Sequence, residues 1–144
     1  MEYPVLAIDF GTKRIGLAIS DEKGRVSTPI RPIRITKNTS QESLLQAFRD
    51  AIAENRVKSL LVGKPQEFEE AHKKSTERIN KFIEWLSFHL NIPTSTWDES
   101  FSTSAAKDMI VSAGSTVKSK KNKLDSIAAS IFLQEFLNSN TKEK

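Results

Sequence analysis

The apolar positions fall into short blocks whose spacing changes along the chain. Residues 5–10, VLAIDF, are apolar until they end on Asp9 and Phe10. Such a run predicts a central strand whose C-terminal end opens onto a site. Gly11 and the polar Thr12-Lys13-Arg14 predict a tight turn, and Ile15 to Ser20 a second strand. Asp21-Glu22-Lys23-Gly24 fits a hairpin turn with Gly24 at positive φ. A third strand is expected within residues 25–35. Pro29 and Pro32 make it irregular or an edge strand, because proline donates nothing to a sheet ladder.

The period then becomes helical. Thr39-Ser40-Gln41-Glu42 fits a capping box with Thr39 as N-cap and Glu42 at the third helical position. Leu44, Leu45, Phe48, Ile52 and Val57 follow at the spacing of one helix face, which ends near residue 55. Residues 59–62, SLLV, predict a short strand closed by Gly63 and Pro65. A second helix carries Ile79, Phe82, Ile83, Leu86 and Leu90 on one stripe and stops before Pro93. Thr94 to Trp97 predict another strand, ending at Asp98-Glu99. Ser102 can cap a helix through Ala105, Ala106, Met109 and Ile110, stopped near Gly114. Residues 115–123 read as a polar, lysine-rich loop. The last helix is expected from about Leu124 to Leu137, with Leu124, Ile127, Ala128, Ile131 and Phe132 inward.

The order βββαβαβαα predicts an α/β fold. Its mixed five-stranded sheet has three antiparallel strands, then parallel ones, and is flanked by helices. At 144 residues the chain has the size of one domain. Residues 1–138 are expected to form it, and residues 139–144 a frayed tail. Phe10, Phe48, Phe82 and Phe132 fall on patterned faces and are expected in the core, with Trp85 and Trp97 in the core or at its rim.

Composition removes several chemistries. There is no cysteine, so disulfides, thiolate metal sites and cysteine nucleophiles are excluded. His72 and His89 are too few for a zinc site and read as surface helix residues. Ser102, Thr103 and Ser104 make no triad with either histidine. The opening MEYPVLAIDFG lacks a secretory pattern, and no stretch approaches the length of a membrane span. A cytoplasmic location without membrane contact is therefore expected. The net charge of +4 matters less than its distribution: Lys118, Lys120, Lys121 and Lys123 crowd into six residues without an acid.

Three acids sit where this layout should gather them. Asp9 ends the first strand, Glu99 lies just past the last, and Asp125 is expected in the first turn of the final helix, where unpaired N–H groups favour an anion. Each also has a plain reading, as a turn former, a surface acid or a first-turn residue. Together they suit phosphodiester hydrolysis, with Mg2+ or Mn2+ on hard carboxylate oxygens. Clustered carboxylates repel one another unless a cation resolves the conflict. Thr12, Lys13 and Arg14 could face a phosphate, and the 118–123 lysines could hold a polyanion by charge.

The segments AIDFGTKRIGLAISD (7–21), LLVGKP (60–65), DESFST (98–103) and KLDSIAASIFLQEFL (123–137) resemble the YqgF family of ribonuclease H-like proteins, in family order and spacing. Those proteins are described as pre-16S ribosomal RNA nucleases and as Holliday junction resolvase-like. The resemblance implies a ribonuclease H-like fold, processing of the 5′ end of precursor 16S ribosomal RNA, a divalent metal and a bacterial cytoplasm. It sets Asp9, Glu99 and Asp125 on the family's catalytic acids. Two departures stand out: Ser100 occupies a position where the family has arginine, and the segment 66–70, QEFEE, lacks the family's glycine.

The expected partner is nucleic acid, with precursor ribosomal RNA ahead of branched DNA, bound by a monomer or weak homodimer. Two alternatives on the same fold are a Holliday-junction-type DNA endonuclease and a non-catalytic RNA-binding assembly protein. A sugar-kinase or actin type ATPase, suggested by Asp9-Phe10-Gly11-Thr12, would need a second domain that 144 residues do not supply.

Overall fold

A computed structural model describes residues 1–11, 13–64, 70–98 and 117–142, with the backbone alone for 70–76, 98, 117–125 and 140–142. The strands are β1 (Val5–Phe10), β2 (Arg14–Ser20), β3 (Ser27–Arg34), β4 (Ser59–Lys64) and β5 (Thr94–Asp98). The helices are α1 (Gln41–Glu54), α2 (Glu70–Leu90) and α3 (Val117–Lys142). The sheet order is β3-β2-β1-β4-β5. β1 pairs antiparallel with β2 and parallel with β4, so the mixed sheet turns from one mode to the other at its central strand.

This position explains the unbroken apolar run of β1. Both faces of the strand are covered, so alternate residues enter different cores. Leu6 and Ile8 join Leu17, Phe48, Leu60, Val62, Phe82 and Leu86 on the side of α1 and α2. Val5 and Ala7 join Ala18, Leu61, Ala129, Phe132, Leu133, Phe136 and Leu137 on the side of α3. The expected core phenylalanines fit this division. Phe48, Phe82 and Phe132 are buried, and the half-buried Phe10 rests against Phe82 at 4.5 Å between ring centroids.

β3 is an edge strand, as Pro29 and Pro32 require, and its pairing with β2 shifts register between Ile15 and Leu17. Gly24 has φ +68°, and a Cβ there would also collide with the Tyr3 ring. The hairpin therefore needs glycine on both counts.

Three expectations are corrected. The α1 capping box is built by Ser40 and Ser43: Ser40 Oγ accepts from the Ser43 N–H at 3.0 Å, and Ser43 Oγ accepts from the Ser40 N–H at 3.1 Å. Thr39 is instead used in the preceding turn, where its Oγ1 accepts from the Thr36 N–H at 2.8 Å. Residues 117–123 are helical rather than loop, because α3 begins at Val117. Lysine is a good helix former, and a stretch polar all round shows no apolar period by which to recognise a helix.

The inward face of α3 is also rotated from the expected one. Ser126, Ala129, Phe132, Leu133, Phe136 and Leu137 are buried, whereas Ala128 is exposed and Ile127 and Ile131 are half-buried. α3 continues to Lys142. The expected helix at 102–114 lies outside the described residues.

Candidate functional site

Asp9 follows the β1 alternation onto the α3 face, where it is half-buried. Its neighbours across the sheet carry no side chains. Gly16 on β2 is its register partner. On β4, Val62 pairs with Ile8, so the next residue, Gly63, comes level with Asp9. Both glycines are buried. The acid thus stands between two stretches of bare backbone where β1, β4 and β5 all finish, at the carboxyl ends of parallel strands.

The fully buried Ser126 brings α3 to this place. Its Oγ accepts from the Leu17 N–H at 3.2 Å, one residue from the glycine that faces Asp9. This bond falls where the β2–β3 pairing changes register, so the helix satisfies a strand donor at the irregularity. Asp125 directly precedes Ser126, which places its backbone beside the same stretch of β2. Its side chain lies outside the described residues.

Asp125 was expected in the first turn of its helix, but it lies in the third. The helix-terminus argument for an anion therefore does not apply to it, since that effect fades beyond the terminal turn. Position 125 is held by the Ser126 anchor instead. Sequence reasoning passes over Ser126 because a mid-helix serine reads as solvent-facing. A usable signal was the row at 126, 130 and 134, four residues apart on one helix face. Gln134 Oε1 accepts from the Ser27 N–H at 3.0 Å, and Ser27 Oγ donates to the Ser130 carbonyl at 2.7 Å.

Glu99 lies outside the described residues, as do Thr12, Ser100 and the segment 65–69. β5 is followed to Asp98, in register with Lys64. Among the described residues no cluster of three potential metal ligands occurs. The side chains of Lys118, Lys120, Lys121 and Lys123 also lie outside the description, while their backbone forms the first turns of α3.

Lys13 and Arg14 are exposed on an open groove of about 940 Å³, whose lining also includes Gly11, Arg34, Thr36 and Lys37. A Cβ on Gly11 would run into the Arg14 carbonyl, so this turn closes only around glycine. Asp21 lies at the other end of β2. Its Oδ1 accepts from the Arg25 N–H at 2.7 Å and the Val26 N–H at 3.1 Å. The Val26 and then the Arg25 hydrogen bond hold its carboxyl below the usual value.

A family model described as "RuvX: Holliday junction resolvase" matches residues 3–139. The chain belongs to the RuvX (YqgF) family. Among its relatives, a Koribacter versatilis protein is 33% identical over 133 residues, covering 92% of this chain and 85% of its own length. A Geobacillus relative is 33% identical over 135 residues, with 94% and 97% covered. Both carry the name "Putative pre-16S rRNA nuclease".

The fold agrees with this membership. Thermus thermophilus RuvC in complex with a Holliday junction substrate superposes with a TM-score of 0.55 at 11% identity, covering 96% of both chains. The Fowlpox virus resolvase, in complex with Holliday junction DNA, superposes at 0.56 and 17% identity, covering 96% of this chain and 99% of its own. The architecture is the ribonuclease H-like α/β fold expected from the sequence. In this family member the first motif spans the end of β1 and the last spans α3. No helix among the described residues is long and apolar enough to cross a membrane.

Proposed function

We propose that this chain is a metal-dependent nuclease that processes the 5′ end of precursor 16S ribosomal RNA in the cytoplasm. The observation that carries the proposal is the setting of Asp9, between Gly16 and Gly63 at the sheet end that α3 approaches through Ser126. An acid flanked across the sheet by two glycines leaves room for a substrate phosphate. The relatives named as pre-16S rRNA nucleases direct the choice of substrate.

Asp9, Glu99 and Asp125 are the proposed catalytic acids and would hold Mg2+ or Mn2+. The donor set fits such an ion, because hard cations prefer a few carboxylates and leave positions for water and phosphate. When bound, the metal supplies a water activated as nucleophile and charge neutralisation at the leaving oxygen. Asp9 contributes negative charge from a rigid strand, and position 125 comes from a helix fastened by a buried hydrogen bond. Thr12, Lys13, Arg14 and the lysines at 118, 120, 121 and 123 would hold the strand by its phosphates, with little sequence preference. Residues 1–138 act as one nuclease domain, as a monomer or weak homodimer.

The family description favours a second reading, a Holliday-junction-type DNA endonuclease using the same acids. End-labelled precursor 16S RNA and a branched DNA should be incubated with the protein in magnesium, manganese or chelator, beside Asp9→Asn. Metal-dependent RNA cuts that vanish in the variant are expected. Cuts confined to branched DNA would select the second reading. RNA binding without any turnover would select an assembly protein, and full activity in Asp9→Asn would remove the acid assignment.

A further inference from the structure

Asp9 carries its charge on a sheet face lined mainly by small and apolar residues. Along β1 the alternation gives it Ala7, and Gly11 beyond the strand adds no side chain. On β2 its neighbours are Gly16, level with it, and Ala18 and Arg14 on the two diagonals. On β4 they are Leu61 and Gly63. Ala7, Ala18 and Leu61 are fully buried, and the glycines bring only backbone. A half-buried carboxylate in such surroundings loses part of its hydration and favours a cationic partner.

Strand register singles out that cation. Arg14 is the diagonal neighbour of Asp9, and such neighbours lie roughly 7–8 Å apart, within reach of a long side chain. The other basic residues nearby are turned or set away. Lys13 comes level with Ile35, whose N–H donates to its carbonyl at 2.8 Å, and Ile35 packs with the α1/α2 core. Lys64 follows Gly63 and so falls with Phe10 on that same opposite face. Arg34 pairs with Arg14 from β3, one strand further from Asp9. Among the described side chains, Arg14 is therefore the cation placed for Asp9.

We infer that Arg14 is the positioning residue of Asp9: its guanidinium holds the carboxylate in the metal-free protein and competes with the divalent cation for it. A planar guanidinium grips both oxygens of a carboxylate and so fixes its direction before a metal arrives. Arg14 is exposed, and exposed ion pairs are weak, so its hold is exchangeable. Once released, the guanidinium is available to a phosphate, the role given to Arg14 above. The inference rests on the nuclease reading for its metal, while the pairing itself is measurable without metal or RNA.

The test has two arms. In chelator, urea unfolding of wild type, Arg14→Ala, Asp9→Asn and the double variant forms a double-mutant cycle. Arg14→Ala should raise the unfolding constant more with Asp9 present than in the Asp9→Asn background, by up to about fivefold, the range of an exposed pair. The second arm is Mn2+ titration without RNA, followed by the electron spin resonance signal of the free ion. Arg14→Ala should bind Mn2+ about two- to fivefold more tightly, Arg14→Lys should stay close to wild type, and Asp9→Asn should lose the site. Arg34→Ala removes the same charge one strand further away and should change the affinity less. Additive effects in the cycle would overturn the pairing, whether or not the protein cuts RNA. Unchanged or weaker Mn2+ binding by Arg14→Ala, or an equal gain in Arg34→Ala, would overturn the competition. A wild type that binds no Mn2+ would remove the competition together with the metal assignment of Asp9. Coupling and competition without cleavage of any nucleic acid would sink only the nuclease reading.

Discussion

Both faces of the sheet are covered by apolar packing, and the α3 face adds hydrogen bonds from its helix to the strands. On the α1/α2 face the contacts are large and apolar: Phe10, Phe48, Phe82 and Trp85 form a chain of ring contacts over Leu6, Ile8, Leu60 and Val62. On the α3 face Val5, Ala7, Ala18 and Leu61 pack under Ala129, Phe132, Leu133, Phe136 and Leu137, and the helix is tied in addition to β2 and β3 by hydrogen bonds at Ser126, Ser130 and Gln134. Apolar burial is strong but without direction, so it fixes distance better than orientation. A buried hydrogen bond specifies which residue stands where. The face that carries Asp9 is the one whose helix is positioned by such bonds.

Three substitutions separate these modes. Phe48→Ala empties the centre of the apolar face and should destabilise the fold by about 3–5 kcal/mol, measured by urea denaturation. RNA affinity of the protein that remains folded should be unchanged. A loss of affinity exceeding the unfolded fraction would break the division between faces. Ser126→Ala leaves the buried Leu17 N–H without its acceptor, at an expected cost of about 1–3 kcal/mol. Cleavage well below the melting temperature should fall further than stability does, because position 125 loses its anchor. Equal losses in both would reduce Ser126 to a structural residue.

The smallest effect is expected at Asp21, on the hairpin that Gln134 also ties down through the Arg25 carbonyl. Its carboxyl titrates below the ordinary value because the Val26 and Arg25 N–H groups favour the charged form. The stabilisation is therefore present above the unfolded-state value near 3.9 and lost as pH falls through the folded value. Asp21→Asn should be slightly less stable than wild type at neutral pH and should match it in strong acid. Melting curves from neutral pH to about pH 2 would show the gap closing. A gap that persists in acid would remove the titration from the account.

Much of the fold was legible because particular residues leave few choices. The run Val5 to Ile8 has no polar face and requires a strand covered on both sides. Pro29 and Pro32 force β3 to the edge, and Gly24 marks its hairpin turn. α3 was harder to place. Its first turns are polar all round and carry no period, and the residues it turns toward β2 and β3 include Ser126 and Gln134, which a hydropathy pattern assigns to solvent. The candidate site was legible at Asp9, an acid closing an apolar strand. Its glycine neighbours were not, since Gly16 and Gly63 are 47 residues apart and meet Asp9 only through strand register.

Local sequence was thus sufficient for the order of the described elements, the central strand and the edge strand, because burial, proline geometry and turn chemistry act over a few residues. Tertiary structure decided which face Asp9 occupies, how α3 is turned, and that Arg14 stands opposite Arg34. Those outcomes depend on hydrogen bonds and strand pairings between residues far apart in the chain, and the partner that completes each one is chosen only when the sheet and its last helix come together.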